Sequence, residues 1–364
     1  MKIDNLKITN FRNYDKLSLN FSHNLNIIYG LNGSGKTNII EAIYLLSLTK
    51  SFRISNDKVL MQKGTDKATV EGEFQKRKDT SNYKVIIDNF GKKVEINNNK
   101  IDRISDYVSR INIVLFHPNN TNIINDSPGE RRKLLNIEIS QLYKEYLSLL
   151  SNYNRILKQR NFYLRQLYIN GNASKEYLDI LTKKMVEYGK RINNYRYDFC
   201  NNINNYIGEI YQKIFGVGEL KIKYISTYNN KNENELIEMY NKYYKKDLEI
   251  GKTSLGIHHD DLNFILDGNN LKEWGSEGQR KNSIISFKLA EITVIKELKK
   301  YYPIFILDDL FSELDREKIN NILAILNDEV QTFITTTEID MVQKKILEKS
   351  KIFHITDGKI EEEV

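Results

Sequence analysis

The sequence predicts an α/β chain: a mixed sheet with flanking helices, built from both ends of the polypeptide, with a long helical segment inserted between them. Three observations predict it. First, the apolar run Leu25-Asn26-Ile27-Ile28-Tyr29 leads into Gly30-Leu31-Asn32-Gly33-Ser34-Gly35-Lys36-Thr37, and apolar residues at helical spacing follow through Leu46. Second, Tyr302-Pro303-Ile304-Phe305-Ile306-Leu307-Asp308-Asp309 is an apolar strand that ends in two carboxylates. Third, no proline interrupts residues 129–215, where Leu134, Leu135, Leu142, Tyr146, Leu149, Tyr153, Ile156 and Leu164 recur at helical spacing.

The first stretch fits G-x-x-x-x-G-K-[ST], the phosphate-cradling P-loop, in the strand–loop–helix context it requires. Gly30, Gly33 and Gly35 let the backbone N–H groups around Asn32 and Ser34 curl about an anion. The helix start adds partial positive charge. Lys36 supplies a full charge to the β- and γ-phosphates of a nucleotide, and the Thr37 hydroxyl suits Mg2+. The second stretch is the matching Walker B pattern. Asp308 is expected to hold Mg2+ with Thr37, and Asp309 to orient or polarise the attacking water.

Composition bounds the alternatives. A length of 364 residues favours two or three domains. Net charge is +7 with a pI near 9.0, which tilts toward a polyanionic partner. The single cysteine, Cys200, excludes an intrachain disulfide and a thiolate metal cluster. No signal-peptide core or membrane-length apolar run is present, so a cytosolic protein is expected.

In chain order, residues 2–10 and 16–29 read as short strands around Asn10-Phe11-Arg12-Asn13-Tyr14. There an aromatic and an arginine either meet a nucleotide or form a packed ring and a solvated cation. Strands follow at 67–76, 82–88, 93–97 and 111–117. Ser127-Pro128 opens a helix of roughly 40 residues, about 60 Å long. Gly171-Asn172-Ala173-Ser174 makes a hairpin, and 174–215 returns. Residues 128–225 hold 17 Lys or Arg against 9 Asp or Glu, so the basic excess belongs to this arm. It reads either as a solvated face or as a phosphate-contacting surface with steep salt dependence. Residues 219–226 read as strand and 232–250 as a polar helix.

The last third decides the class. Gly275-Ser276-Glu277-Gly278-Gln279 opens the helix 279–299 and matches S-x-G-Q, the signature of ABC-type ATPases, 240 residues after Lys36. Ser276, Gly278 and Gln279 at a helix start make a second anion site. Leu310-Phe311-Ser312-Glu313-Leu314-Asp315 matches the S-x-L-D that follows Walker B in such proteins. Gln331-Thr332-Phe333-Ile334-Thr335-Thr336-Thr337 stands where many place a switch histidine, and Thr335 or Thr336 is the substitute by hydroxyl. The expected organisation is an ABC-type head from 1–127 and 216–364 and a helical arm at 128–215.

Beyond these generic motifs, the chain resembles the RecF family of bacterial DNA-repair ATPases along nearly its whole length. The resemblance is carried by Asn10-Phe11-Arg12-Asn13-Tyr14, by Glu41-Ala42-Ile43-Tyr44 after the P-loop, and by Lys50-Ser51-Phe52-Arg53. Pro128-Gly129-Glu130-Arg131-Arg132 and Lys158-Gln159-Arg160-Asn161 add to it. Departures occur at Asn119, at Asn136, and at Gly256-Ile257-His258-His259-Asp260-Asp261-Leu262. The resemblance implies a homodimer closed by ATP, in which Ser276 faces a γ-phosphate bound by the other copy. It implies binding of double-stranded DNA at gaps and single-strand–double-strand junctions, and work with RecR and RecO to place RecA. Hydrolysis is then slow and DNA-stimulated. Arg131, Arg132, Lys158 and Arg160 are the expected DNA contacts.

Other readings remain open from sequence. An SMC-like ATPase of phage defence shares the motifs. A P-loop kinase has no use for S-x-G-Q or S-x-L-D. A non-catalytic scaffold does not need Lys36, Asp308 and Asp309. A metal site at His258-His259-Asp260-Asp261 conflicts with the alternation of neighbours along a strand.

Overall fold

A computed structural model describes residues 1–170, 174–309, 314–326, 328–356 and 358–363. The chain divides into two compact units. The first comprises 1–121, 206–218 and 281–364; the second comprises 122–205 and 219–280.

In chain order the first unit opens with β1 (Lys2–Phe11), β2 (Tyr14–Asn20), β3 (Leu25–Gly30) and α1 (Lys36–Leu48). It continues with β4 (Lys67–Lys76), β5 (Asp79–Asp88), β6 (Gly91–Ile96), β7 (Asn99–Ile101), α2 (Ser105–Val108) and β8 (Ile113–Phe116). The second unit holds α3 (Pro128–Leu142), α4 (Tyr146–Asn170) and α5 (Lys175–Asn204); α6 (Ile207–Phe215) belongs to the first. Then come β9 (Leu220–Ile225), α7 (Glu233–Ile250), β10 (Asp261–Leu266), β11 (Asn269–Asn270), α8 (Leu271–Trp274) and α9 (Glu277–Lys299). The chain closes with β12 (Ile304–Asp308), α10 (Arg316–Ile325), β13 (Thr332–Thr336), α11 (Lys344–Leu347), β14 (Ser350–Thr356) and β15 (Lys359–Glu363).

The first unit contains two sheets. One is antiparallel, in the order β2-β1-β4-β5-β6-β7. The other has the order β15-β14-β3-β13-β12-β8 and is parallel except for the edge hairpin β14–β15. Every residue of β8, β12 and β13 is buried, as expected of parallel strands covered on both faces. Helix α1 is apolar and buried nearly all round, and it packs on strands of both sheets. Gln331 ties the sheets together: its Oε1 accepts from Ile3 N at 2.7 Å, and its Nε2 donates to Ile3 O and Ser22 O, each at 2.8 Å.

The second unit is a helical hairpin, α4 against α5, with α7 packed on both and a three-stranded sheet β11-β10-β9. Tyr153, Ile156, Leu164 and Leu167 form the buried stripe of α4.

Three differences from the sequence reading are informative. The single 40-residue helix is two, α3 and α4, because Tyr143 is extended at φ −128°, ψ 110°. The turn lets Tyr146 reach back, its O–H donating to Asn136 Oδ1 at 2.7 Å. The returning stretch also divides, since the amphipathic face of α6 (Ile207, Ile210, Tyr211, Ile214) packs with α10. Residues 219–280, assigned to the head from sequence, group with the helical hairpin because β9 packs on α5 and α7 covers α4 and α5. The hairpin residues 171–173 and the segment 310–313 of the S-x-L-D motif lie outside the described residues.

Candidate nucleotide site

The P-loop sits at the carboxyl end of β3, between β13 and β14. Two of its glycines are required by contact and conformation together. Gly30 has φ +153°, and an added Cβ would lie 2.3 Å from Ile355 O. Gly35 has φ +115°, and an added Cβ would lie 2.5 Å from Tyr14 Oη. Asn32 and Gly33 are exposed. Lys36 folds back along the loop, its Nζ donating to Gly30 O at 2.7 Å and Leu31 O at 2.9 Å. Burial lowers the Lys36 pKa, and Asp309 and Asp308 oppose that shift.

Strand order brings the downstream motif to this loop. In the parallel register Thr335 of β13 lies level with Asp308 of β12 on one side and Ile28 of β3 on the other. Thr335 Oγ1 donates to Asp308 Oδ1 at 2.6 Å, and Thr37 Oγ1 donates to the same oxygen at 3.2 Å. The Thr335 hydroxyl also accepts from Asp309 N at 3.0 Å, where the backbone turns to φ 50°. Burial raises the Asp308 pKa; the two threonine hydrogen bonds lower it, Asp309 raises it and Arg53 lowers it. Thr336, the other substitute weighed from sequence, instead accepts from Glu338 N at 2.9 Å.

The site fits a nucleotide and a hard cation. The buried Ser34 Oγ, inside the P-loop, has no hydrogen-bond partner among the described residues. Thr37 and Asp308 together present a hydroxyl and a carboxylate, the oxygen donors Mg2+ prefers.

Sequence reasoning missed the bracket around the loop. Arg12 is not solvated: Nε and Nη2 form a two-pronged pair with Glu41 at 2.8 and 2.7 Å, and Ser51 Oγ donates to Glu41 Oε1 at 2.5 Å. Phe11 is fully buried. A second chain runs outward. Asn13 Nδ2 donates to Ser34 O at 3.5 Å, Asn38 Nδ2 to Asn13 Oδ1 at 2.7 Å, and Arg53 Nη1 to Asn38 Oδ1 at 3.1 Å. The Arg53 side chain remains 45% exposed. At the end of β8, His117 lies against the Phe52 ring, 5.2 Å between centroids. Burial, then Lys288, lowers its pKa to about 4. The only sequence signals were Lys50-Ser51-Phe52-Arg53 and Asn10–Tyr14, which carry no chemistry on their own.

Ser276, Gly278 and Gln279 lie in the second unit, exposed at the start of α9. Ser276 N donates to Gln279 Oε1 at 2.9 Å and Gln279 N to Ser276 Oγ at 3.2 Å, a reciprocal capping box.

The expected DNA contacts separate into two classes. Arg131 is 1% exposed; its Nε and Nη2 meet Asp261 at 2.6 and 2.9 Å, and Nη1 donates to three carbonyls. Arg160 is also 1% exposed and donates to Asp247 at 2.8 Å, Thr253 at 2.7 Å and Thr182 at 3.1 Å. Both are corrected to structural residues, because their donors are consumed inside the unit. Arg132 is half-buried and donates to Asp260 O at 2.7 Å, while Lys158 is exposed. The His258–Asp261 segment resolves the same way: Asp260 pairs with Arg196 at 2.8 Å, and Asp261 with Arg131. Among the described residues no group of three or more His, Cys, Asp or Glu is arranged to hold a metal. Among them, too, no helix is long and apolar enough to cross a membrane.

A P-loop strand and a Walker B strand flanking one intervening strand, with an S-x-G-Q helix start, define the class as an ABC-type ATPase with an SMC-like head. The chain belongs to the RecF/RecN/SMC N terminal domain family, whose pattern matches residues 2–361. It is 36% identical to a DNA replication and repair protein RecF of Bacillus cereus over 372 residues, covering 100% of this chain and 99% of the relative. The RecF of Bacillus thuringiensis strain Al Hakam is equally similar, with the same coverage. Among solved structures, the recombination mediator protein RecF bound to ATP superposes with a TM-score of 0.89 at 29% identity, covering 100% of this chain and 98% of that one. The Pyrococcus furiosus Smc head shares the fold alone, with a TM-score of 0.56 at 18% identity and coverage of 100% and 96%.

Proposed function

We propose that this chain is an ATP-dependent DNA-binding protein of recombinational repair. On this reading it dimerises on ATP, holds gapped or junction DNA, and assists RecO and RecR in loading RecA. The observation that carries the proposal is the shared carboxylate oxygen of Asp308, bonded by Thr37 from the P-loop and Thr335 from the intervening strand. It sits beside an open loop whose Ser34 hydroxyl has no partner among the described residues.

The residues divide the work. P-loop N–H groups and Lys36 hold the phosphates of ATP, releasing Lys36 Nζ from the Gly30 and Leu31 carbonyls it now meets. Thr37 and Asp308 hold Mg2+, which neutralises phosphate charge when bound. Asp309 orients or polarises water. Ser276, Gly278 and Gln279 of a second copy close on the γ-phosphate, so ATP and ADP differ in how well they join two chains. Hydrolysis is then a slow, DNA-stimulated release switch.

The test is ATP turnover and DNA retention measured together on gapped duplex, with Lys36→Ala as the control. The reading requires turnover that rises with DNA and retention that requires ATP. Turnover indifferent to DNA, with retention indifferent to ATP, contradicts it.

A further inference from the structure

We infer that the outer face of α4 is a binding surface for single-stranded nucleic acid, with Phe162 as its base-stacking platform. This inference rests on the DNA-binding reading above and gives that reading a specific site and ligand.

Helix α4 carries Arg155, Lys158, Arg160 and Arg165 and no carboxylate in its 25 residues. Burial sorts these cations. Arg160 points into the unit and is satisfied there. Arg155, Lys158 and Arg165 are exposed, and they alternate with Phe162 and Ile169, which are 60% and 77% exposed. Positions 155, 158, 162, 165 and 169 follow the three-to-four spacing of one helical face, spanning about 21 Å. The buried stripe of the same helix, Tyr153, Ile156, Arg160, Leu164 and Leu167, lies on the other side. The Arg165 stem rests against Gly251, where an added Cβ would lie 2.7 Å from Arg165 Cγ. The near carbons of that side chain are covered while the residue stays exposed.

Cations alone serve any phosphate backbone, duplex or single strand. The interleaved apolar side chains discriminate. A duplex keeps its bases stacked internally and gives an exposed phenylalanine nothing to cover it. A single strand presents base faces at the same time as phosphates, and an aromatic between cations meets both.

The test uses the full chain with ATP, and fluorescence anisotropy with a labelled oligothymidylate and a duplex of equal length. Phe162→Ala should weaken single-strand binding about fivefold or more, with less than a twofold effect on duplex. Lys158→Gln/Arg165→Gln should flatten the single-strand salt dependence by about 0.7 per cation removed. Both variants change exposed side chains, and thermal unfolding checks that each is folded. Wild-type single-strand affinity in Phe162→Ala, as expected if the stripe serves a protein partner, overturns the inference, and so do equal losses on both DNAs. If the unaltered chain binds duplex but not single strands, this inference fails and the DNA-binding reading stands. If it binds neither, both fail.

Discussion

Thr335 Oγ1 lies 2.6 Å from Asp308 Oδ1 and accepts from Asp309 N at 3.0 Å, so one hydroxyl fixes both Walker B positions. Removing it takes the shorter of two hydroxyl donors from a buried carboxylate and leaves Asp309 N only its 3.2 Å bond to the Thr335 carbonyl. We expect Thr335→Val to lose about 1–3 kcal/mol of stability and to weaken Mg2+-dependent ATP binding. Thr335→Ser should restore both. Thermal unfolding with and without Mg·ATP checks this; a valine variant indistinguishable from wild type in both measurements would show that the hydroxyl is dispensable.

Asp309→Asn should bind ATP with near-normal affinity and hydrolyse it about 100-fold or more slowly, because the carboxylate proposed to orient or polarise water is lost while Lys36, Thr37 and Asp308 stay in place. Single-turnover hydrolysis beside equilibrium ATP binding separates the two effects. Equal loss of binding and turnover would assign Asp309 to holding ATP instead.

Arg160→Ala should cost about 3–5 kcal/mol, since it leaves Asp247 buried and uncompensated. Charge reversal at Arg131 or Arg160 therefore reports on folding, and a loss of DNA binding there would track the loss of folded protein. Urea unfolding of Arg160→Ala and Arg131→Ala distinguishes this from a surface role, in which stability would not change.

Acid should destabilise the second unit through His258. Tyr153 O–H donates to its Nδ1 at 2.8 Å, its Nε2 lies 3.2 Å from Thr253 O, and burial lowers its pKa from 6.5 to about 4. The neutral ring is the folded form. Above pH 6.5 neither state is protonated; below it the unfolded chain takes a proton that the folded chain refuses until about pH 4. Stability should fall across that window by roughly 1–3 kcal/mol, and His258→Gln should flatten the fall. An unchanged pH profile in the variant would remove His258 as the cause.

The chemistry written in contiguous residues was legible before the fold. Gly30–Thr37 and Ile304–Asp309 carry their own context, since a strand, a loop and a helix start are local features. Thr335 was not assignable in the same way. Its partner is 27 residues away, and their contact depends on strand order, which no local pattern encodes. Arg131 and Arg160 misled because composition counts charges and not burial; their partners Asp261 and Asp247 are 130 and 87 residues distant. The turn at Tyr143 carries neither glycine nor proline, so periodicity ran through it. The grouping of 219–280 with the hairpin rests on β9 packing against α5 and α7 against α4 and α5, again long-range contacts.

The central claim is that ATP joins two chains through the P-loop of one and the exposed helix start of the other. Sedimentation velocity on the full chain, with no nucleotide, ADP or ATP, tests it most directly, alongside Lys36→Ala and Ser276→Arg. The account predicts a monomer without nucleotide or with ADP, a dimer with ATP, and no ATP-driven dimer in either variant, although Ser276→Arg still binds ATP. The same monomer in all conditions, or a dimer indifferent to nucleotide and to both substitutions, would contradict it.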